Sequence, residues 1–133
     1  MSASVLRRVA RALLGLGLLS TSTPTVADIR DYEFKLVREK VKKGQAVVDV
    51  RLIHKPDDRA VSDAVIFAMR LDMAPDDMEQ MTSAIEAVKS PEPGLYRFKV
   101  DLTAEGRWRI SLAAKVQGET ETLQGRLVLQ ATP

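Results

Sequence analysis

The chain has 133 residues, 20 basic and 18 acidic side chains, a single histidine and no cysteine. That composition excludes thiol chemistry and disulfide staples, and it restricts any histidine-dependent catalysis to His54. One domain's worth of sequence remains once the N-terminal stretch is set aside, enough to bury a core without cross-links.

The first 27 residues read as a secretory signal peptide. Arg7, Arg8 and Arg11 form a basic region, Ala12 to Leu19 an apolar one, and a Ser/Thr stretch ends in Thr25-Val26-Ala27, with cleavage expected before Asp28. The apolar run is about half the roughly 20 residues that span a bilayer, so an uncleaved anchor is the weaker reading. The expected product is a soluble periplasmic protein, not membrane-spanning after cleavage. Without the three leader arginines, seventeen basic residues face eighteen acidic ones, so the basic pI belongs to the leader. No nucleic-acid surface is expected. The one basic cluster, Lys40 to Lys43, sits at a strand-joining turn and reads as a solvated loop.

Residues 28–133 alternate with a period of two. Tyr32, Phe34 and Leu36 face one way in the first strand; Ala46, Val48, Val50 and Leu52 do so in the next. A Pro/Asp turn at Lys55 to Arg59 leads to a strand with Val65, Phe67, Met69, Leu71 and Met73 in one phase. After a turn at Pro93-Gly94, Tyr96, Phe98, Val100 and Leu102 alternate cleanly, followed by Trp108, Ile110, Leu112, Ala114 and Val116. A last strand carries Leu123, Leu127 and Leu129. This pattern predicts an all-β protein, an antiparallel β-sandwich of about seven strands. Trp108 is expected to anchor the core, and the Tyr96 hydroxyl to tie down a turn.

The segment 74–88 is ambiguous. Met78, Met81, Ile85 and Val88 fit a helical repeat with Pro75 in its first turn, while a Met-rich loop leading into a strand over 83–88 fits equally well. Four of the five methionines, Met69, Met73, Met78 and Met81, gather around this stretch. Thioethers suit soft ions such as Cu(I) or Ag(I), so Met73, Met78 and Met81, with His54 as a nitrogen donor, form a candidate metal site. The competing expectation is packing, since flexible methionines also fill gaps at the open end of a sandwich. Met69, in phase with the core, is assigned to packing. Asp72, Asp76, Asp77 and Glu79 lack the spacing of an EF-hand loop and read as a solvated acidic loop. No catalytic motif, phosphate-cradling loop or zinc spacing is present, so an enzyme is not expected.

Taken together, "AVVDVRLIHKPDDRAVSDAVIFAMRLDMAPDDM" and "PGLYRFKVDLTAEGRWRISLAAKVQGETETLQGRLVL" resemble the YtkA-like/FixH-like family of small exported domains over nearly all of residues 45–130. The specific pieces are the Met-Asp-Met-Pro-type loop, the Pro-Gly-x-Tyr turn and the Gly-Arg-Trp that begins the next strand. The resemblance implies an immunoglobulin-like β-sandwich outside the cytoplasm, associated with heavy-metal efflux or with copper delivery to respiratory oxidases. Its implied partners are membrane metal-efflux or oxidase-assembly proteins. Met73, Met78 and Met81 fall where the family tends to place methionine. The methionine that many relatives carry before Gly-x-Trp is replaced here by Ala104 and Glu105. Two functions follow as expectations: transient Cu(I)/Ag(I) binding in metal homeostasis, or a metal-free module that docks on a membrane complex with its methionines as contact surface.

Overall fold

The computed structural model describes residues 28–133; the expected leader lies outside the described residues. The alternating segments fold into ten strands in two five-stranded sheets. They are β1 (Tyr32–Leu36), β2 (Lys40–Lys42), β3 (Gly44–His54), β4 (Arg59–Ala60), β5 (Ala64–Met73), β6 (Met78–Ser83), β7 (Ile85–Val88), β8 (Leu95–Leu102), β9 (Gly106–Val116) and β10 (Leu123–Thr132). One sheet runs β1-β3-β8-β7, with β4 beside the end of β3; the other runs β2-β10-β9-β5-β6. With β1, β3, β8 and β7 as strands A, B, E and D, and β10, β9 and β5 as G, F and C, this is the immunoglobulin-like arrangement. All pairings are antiparallel except β2 with β10, which is parallel.

Both lateral edges are crossed by chain that changes sheet. β1 leaves β3 after Leu36, and the chain reappears as β2 against β10. On the other side β6 pairs with β5 and, after Ala84, the chain continues as β7 on β8. The helical repeat over 78–88 is thus two short strands in different sheets: the helix does not form, the strand expected over 83–88 does as β7 with Ser83 ending β6, and the loop before it is replaced by a turn and β6. A single 3-10 turn, Ala74–Asp76, precedes β6, and Asp77 stops it in the left-handed region at φ 59°. The β-branched Thr82, Ile85 and Val88 then favour extended chain.

The core follows the predicted alternation closely. Phe34, Val48, Val50, Leu52, Phe98, Val100, Leu102, Trp108, Ile110, Leu112, Ala114, Val116, Leu123 and Leu129 are all buried. Trp108 is completely enclosed, with its indole N–H donating to the Ala104 carbonyl at 3.0 Å. The Tyr96 hydroxyl donates to Val61 O at 2.8 Å and accepts from Ala64 N at 3.2 Å, which fixes the crossing into β5.

One strand departs from its expected phase. Val65 is 65% exposed and Phe67 55% exposed, while Leu71 and Met73 are buried. The β5–β9 register shifts between Ile66 and Ala68. This bulge at Phe67 turns a single alternation into two halves of opposite phase. Ile66 faces the core before it, and Met69, Leu71 and Met73 after it.

Candidate functional site

The candidate site is the rim where β5 ends, turns and returns as β6. Met73 sits opposite Met78, but the register breaks between Asp72 and Met73, so that Glu79 to Met81 have no counterpart on β5. The turn between them, Ala74-Pro75-Asp76-Asp77, repeats one at Lys55-Pro56-Asp57-Asp58. Each is a 3-10 turn with proline in its first positions and a left-handed second aspartate, whose N–H returns to the carbonyl of the turn's first residue. In each, the first aspartate is paired with a neighbouring arginine: Asp57 with Arg59 at 3.6 Å, Asp76 with Arg107 at 2.8 Å.

Gly-Arg-Trp and the methionine loop form one unit. At φ 128°, Gly106 presents no side chain where a Cβ would lie 2.8 Å from the Met73 methyl and 2.6 Å from Asp76 Oδ2. Arg107 then clamps the turn: its backbone N–H donates to Asp76 Oδ2 and its Nε to Oδ1, both at 2.8 Å, and a terminal nitrogen donates to Pro75 O at 2.6 Å. These bonds hold the Asp76 carboxyl below the usual carboxylate range, the backbone N–H contributing most.

Beside this clamp lies the one fully buried charged side chain among the described residues, Asp72. Its Oδ2 accepts from Arg70 Nε at 2.8 Å and from an Arg109 terminal nitrogen at 3.0 Å, and its Oδ1 from Ala74 N at 2.9 Å. Burial works to raise its pKa. The bonds from Arg70, the Ala74 N–H and Arg109 outweigh burial and hold the carboxyl below its ordinary value. Arg70 also donates to Glu79 O at 3.0 Å, and Arg109 lies 3.5 Å from Glu79 Oε1, so both guanidiniums tie β6 to the sheet. The Asp72–Asp76 stretch is therefore an arginine-locked rim and not the solvated acidic loop its composition suggested. The arginines were the residues that sequence reasoning missed. Their signal was the outward placement of Arg107 and Arg109, two apart on β9, with Arg109 opposite Asp72 of β5 and Arg107 beside Asp76 of the turn that follows.

The predicted ligands fall in three places. Met73 is 1% exposed and belongs to the core, with Gly106 against its methyl. Met78 and Met81 are 44% and 39% exposed and line one groove with Arg70, Asp77, Glu79 and Gln80. Met69 is partly buried against the core, as its phase implied. His54 lies at the opposite end of the sandwich. There Leu52 accepts from Val61 N, and Tyr96 binds Val61 and Ala64, the first residue of β5. Met73 is at the far end of that ten-residue strand, about 30 Å away at roughly 3.3 Å per residue. His54 instead has Nδ1 2.7 Å from Asp57 Oδ1, and its ring is 5.0 Å from that of Tyr32, centroid to centroid. The structure thus brings Met78 and Met81 together, sets Met73 beneath them in the core and keeps His54 apart. Among the described residues no three His, Cys, Asp or Glu side chains converge as a metal site would require.

A family model described as YtkA-like matches residues 27–113. No curated protein matches the chain. Among solved structures, the Lin-41 filamin domain is similar at 18% identity and a TM-score of 0.42, covering 79% of this chain and 98% of that one. The ZirS C-terminal domain aligns at 12% identity and a TM-score of 0.46, covering 86% and 84%. Domains 4 and 5 of the S-layer protein SbsC align at 13% identity and a TM-score of 0.40, covering 86% and 85%.

Proposed function

The chain belongs to the YtkA-like family, and from that premise and the geometry of the rim we propose that it is an exported interaction module that docks on a membrane metal-efflux or oxidase-assembly complex through β6. The observation that carries this reading is the division of the methionines. Met78 and Met81 stand exposed on an edge strand around a shared groove, whereas Met73 is in the core and His54 a strand's length away. Exposed methionine is an adaptable apolar surface, able to re-pack against a partner of imperfect fit. The arginine lock beneath β6 holds that strand in place, so the patch is presented on a rigid support.

A second reading is favoured by the shared groove: Met78 and Met81 form a two-thioether site that holds Cu(I) or Ag(I) transiently. The two readings separate on one pair of variants. Met78→Leu/Met81→Leu keeps an apolar rim and removes both sulfurs; Met78→Glu/Met81→Glu removes both properties. Under docking, a photo-crosslinker at Thr82 reaches the same membrane protein in cells with the leucine variant as with the native chain, and loses it with the glutamate variant. Cu(I) titration against a chromogenic competitor then gives the same weak curve for the native chain and the leucine variant. A stoichiometric native site that the leucine variant lacks would instead establish metal binding, and loss of the crosslink in both variants would go with it.

A further inference from the structure

The opposite lateral edge of the sandwich has an opening in its hydrogen bonding. β1 covers only the second half of β3, from Val50 to His54. The last contact on that side is Val37 N–H donating to the Asp49 carbonyl at 3.0 Å; beyond it the chain crosses to the other sheet. On its other side β3 is paired with β8 all the way from Gly44 to Arg51. In an antiparallel ladder the N–H and C=O of one residue point the same way, and successive residues alternate. Asp49 faces β1, and Leu52, of the other parity, donates its N–H toward the β8 side, to Gly94 O. Gln45 and Val47 therefore turn their N–H and C=O groups toward the side that β1 has left. Among the described residues no strand pairs with them there. The place is a depression of about 310 Å³ lined by Val37, Arg38, Val41, Val47, Asp49 and Arg97. Val37 and Val47 are about half exposed in it.

The only basic cluster of the described chain borders this opening. Arg38, Lys40, Lys42 and Lys43 are all exposed on the crossing from β1 through β2 to β3. Against them stand Glu39 and, 3.9 Å from Lys43 Nζ, Glu105. The one acid in the depression, Asp49, is already held by Arg97 in a two-pronged pair at 2.8 and 3.0 Å. A second copy is a poor occupant, because edge-to-edge pairing would set two such clusters against each other. We propose that the open edge of β3 at Gln45–Val47 receives an extended acidic segment of a partner protein, which adds a strand where β1 departs. Its backbone pairs with Gln45 and Val47, an aliphatic side chain lies between Val37 and Val47, and its carboxylates meet Arg38, Lys40 and Lys42. This surface lies on the far side of the sheets from β6, so the inference holds or fails independently of the methionine rim.

The test uses the full chain, labelled with 15N, and two blocked heptapeptides: one alternating glutamate with valine, the other lysine with valine. The acidic peptide is expected to shift the Gln45 and Val47 amides and slow their hydrogen exchange, and the lysine peptide to do neither. Lys40→Glu/Lys42→Glu, at two exposed positions, is expected to weaken binding about tenfold, as reversal of two rim charges implies. Val47→Pro removes one donor and should abolish the slowed exchange at Gln45. Absence of binding, equal binding of both peptides, or shifts at the basic residues without protection at Gln45 and Val47 would each overturn the proposal.

Discussion

At the scale of single residues, Asp72 carries the largest electrostatic responsibility. It is wholly buried, yet it sits on the outward side of its sheet under two guanidiniums that are themselves partly in water. Replacing it by alanine leaves Arg70 and Arg109 without their shared acceptor and frees the Ala74 N–H. We expect a loss of about 3 kcal/mol, the low end for breaking a buried pair because the arginines can rehydrate. Urea denaturation of native chain and variant measures it. The same carboxyl gives the protein an acid limb. Its folded pKa lies below the unfolded value near about 3.9, so its stabilisation is complete above that value and drains away as pH falls through the folded one. Urea midpoints of the native chain should therefore drop steeply below about pH 4, and those of Asp72→Asn more shallowly. Gly106 is the second critical residue. An alanine there meets the Met73 methyl and Asp76 in a backbone conformation that disfavours any side chain, so Gly106→Ala should lose about 2–4 kcal/mol. The loss would appear as a lowered thermal midpoint.

At the scale of elements, β5 is where alternation misleads. Val65, Phe67, Met69, Leu71 and Met73 share one phase in the sequence, with Ile66 the one large apolar residue out of it, and the bulge at Phe67 divides that phase between opposite faces. The prediction that follows is a contrast within one strand. Val65→Ser and Phe67→Ser should each change stability by no more than about 0.5 kcal/mol, whereas Leu71→Ala should lose about 2–4 kcal/mol. Equal losses at Phe67 and Leu71, measured by chemical denaturation, would mean that the strand runs unbroken in its sequence phase. Tyr96→Phe belongs to the same scale, because its hydroxyl joins β8 to the crossing between β4 and β5; removing it should lose about 1–3 kcal/mol by the same measurement. The period of two shows which side chains are paired in phase, and nothing in it marks where an extra residue is inserted. For that reason Phe34, Val50, Phe98 and Trp108 were legible as core, and Val65 and Phe67 were misassigned. Val61 was missed for a related reason: it lies in an irregular crossing with no alternation to reveal it, yet it is buried.

At the scale of the whole molecule, the immunoglobulin-like order of strands follows from where the chain changes sheet, and both changes are short. β1 passes to β2 in three residues and β6 to β7 through Ala84 alone; at the second junction the spacing of Met78, Met81, Ile85 and Val88 runs on, so the sequence reads there as one element where the fold has two. This explains why a sandwich was legible while its strand number and the nature of residues 74–88 were not. The candidate site was only half legible for another physical reason. Proximity in sequence brought Met73, Met78 and Met81 to one rim, but the side of the sheet each side chain takes depends on the register break after Asp72, which no local pattern encodes. The placement of His54 depends on the relative direction of β3 and β5, a global property.

The unequal shelter of the three rim methionines has a consequence for how the protein meets an oxidant. Peroxide or hypochlorite should convert Met78 and Met81 to sulfoxides long before Met73 reacts, since reaction follows solvent access to sulfur. Peptide mass spectrometry over a time course should find the two outer residues modified while the circular dichroism spectrum is unchanged. Chemical damage would then make that surface polar and leave the scaffold standing, and a reductase acting on methionine sulfoxide would restore it.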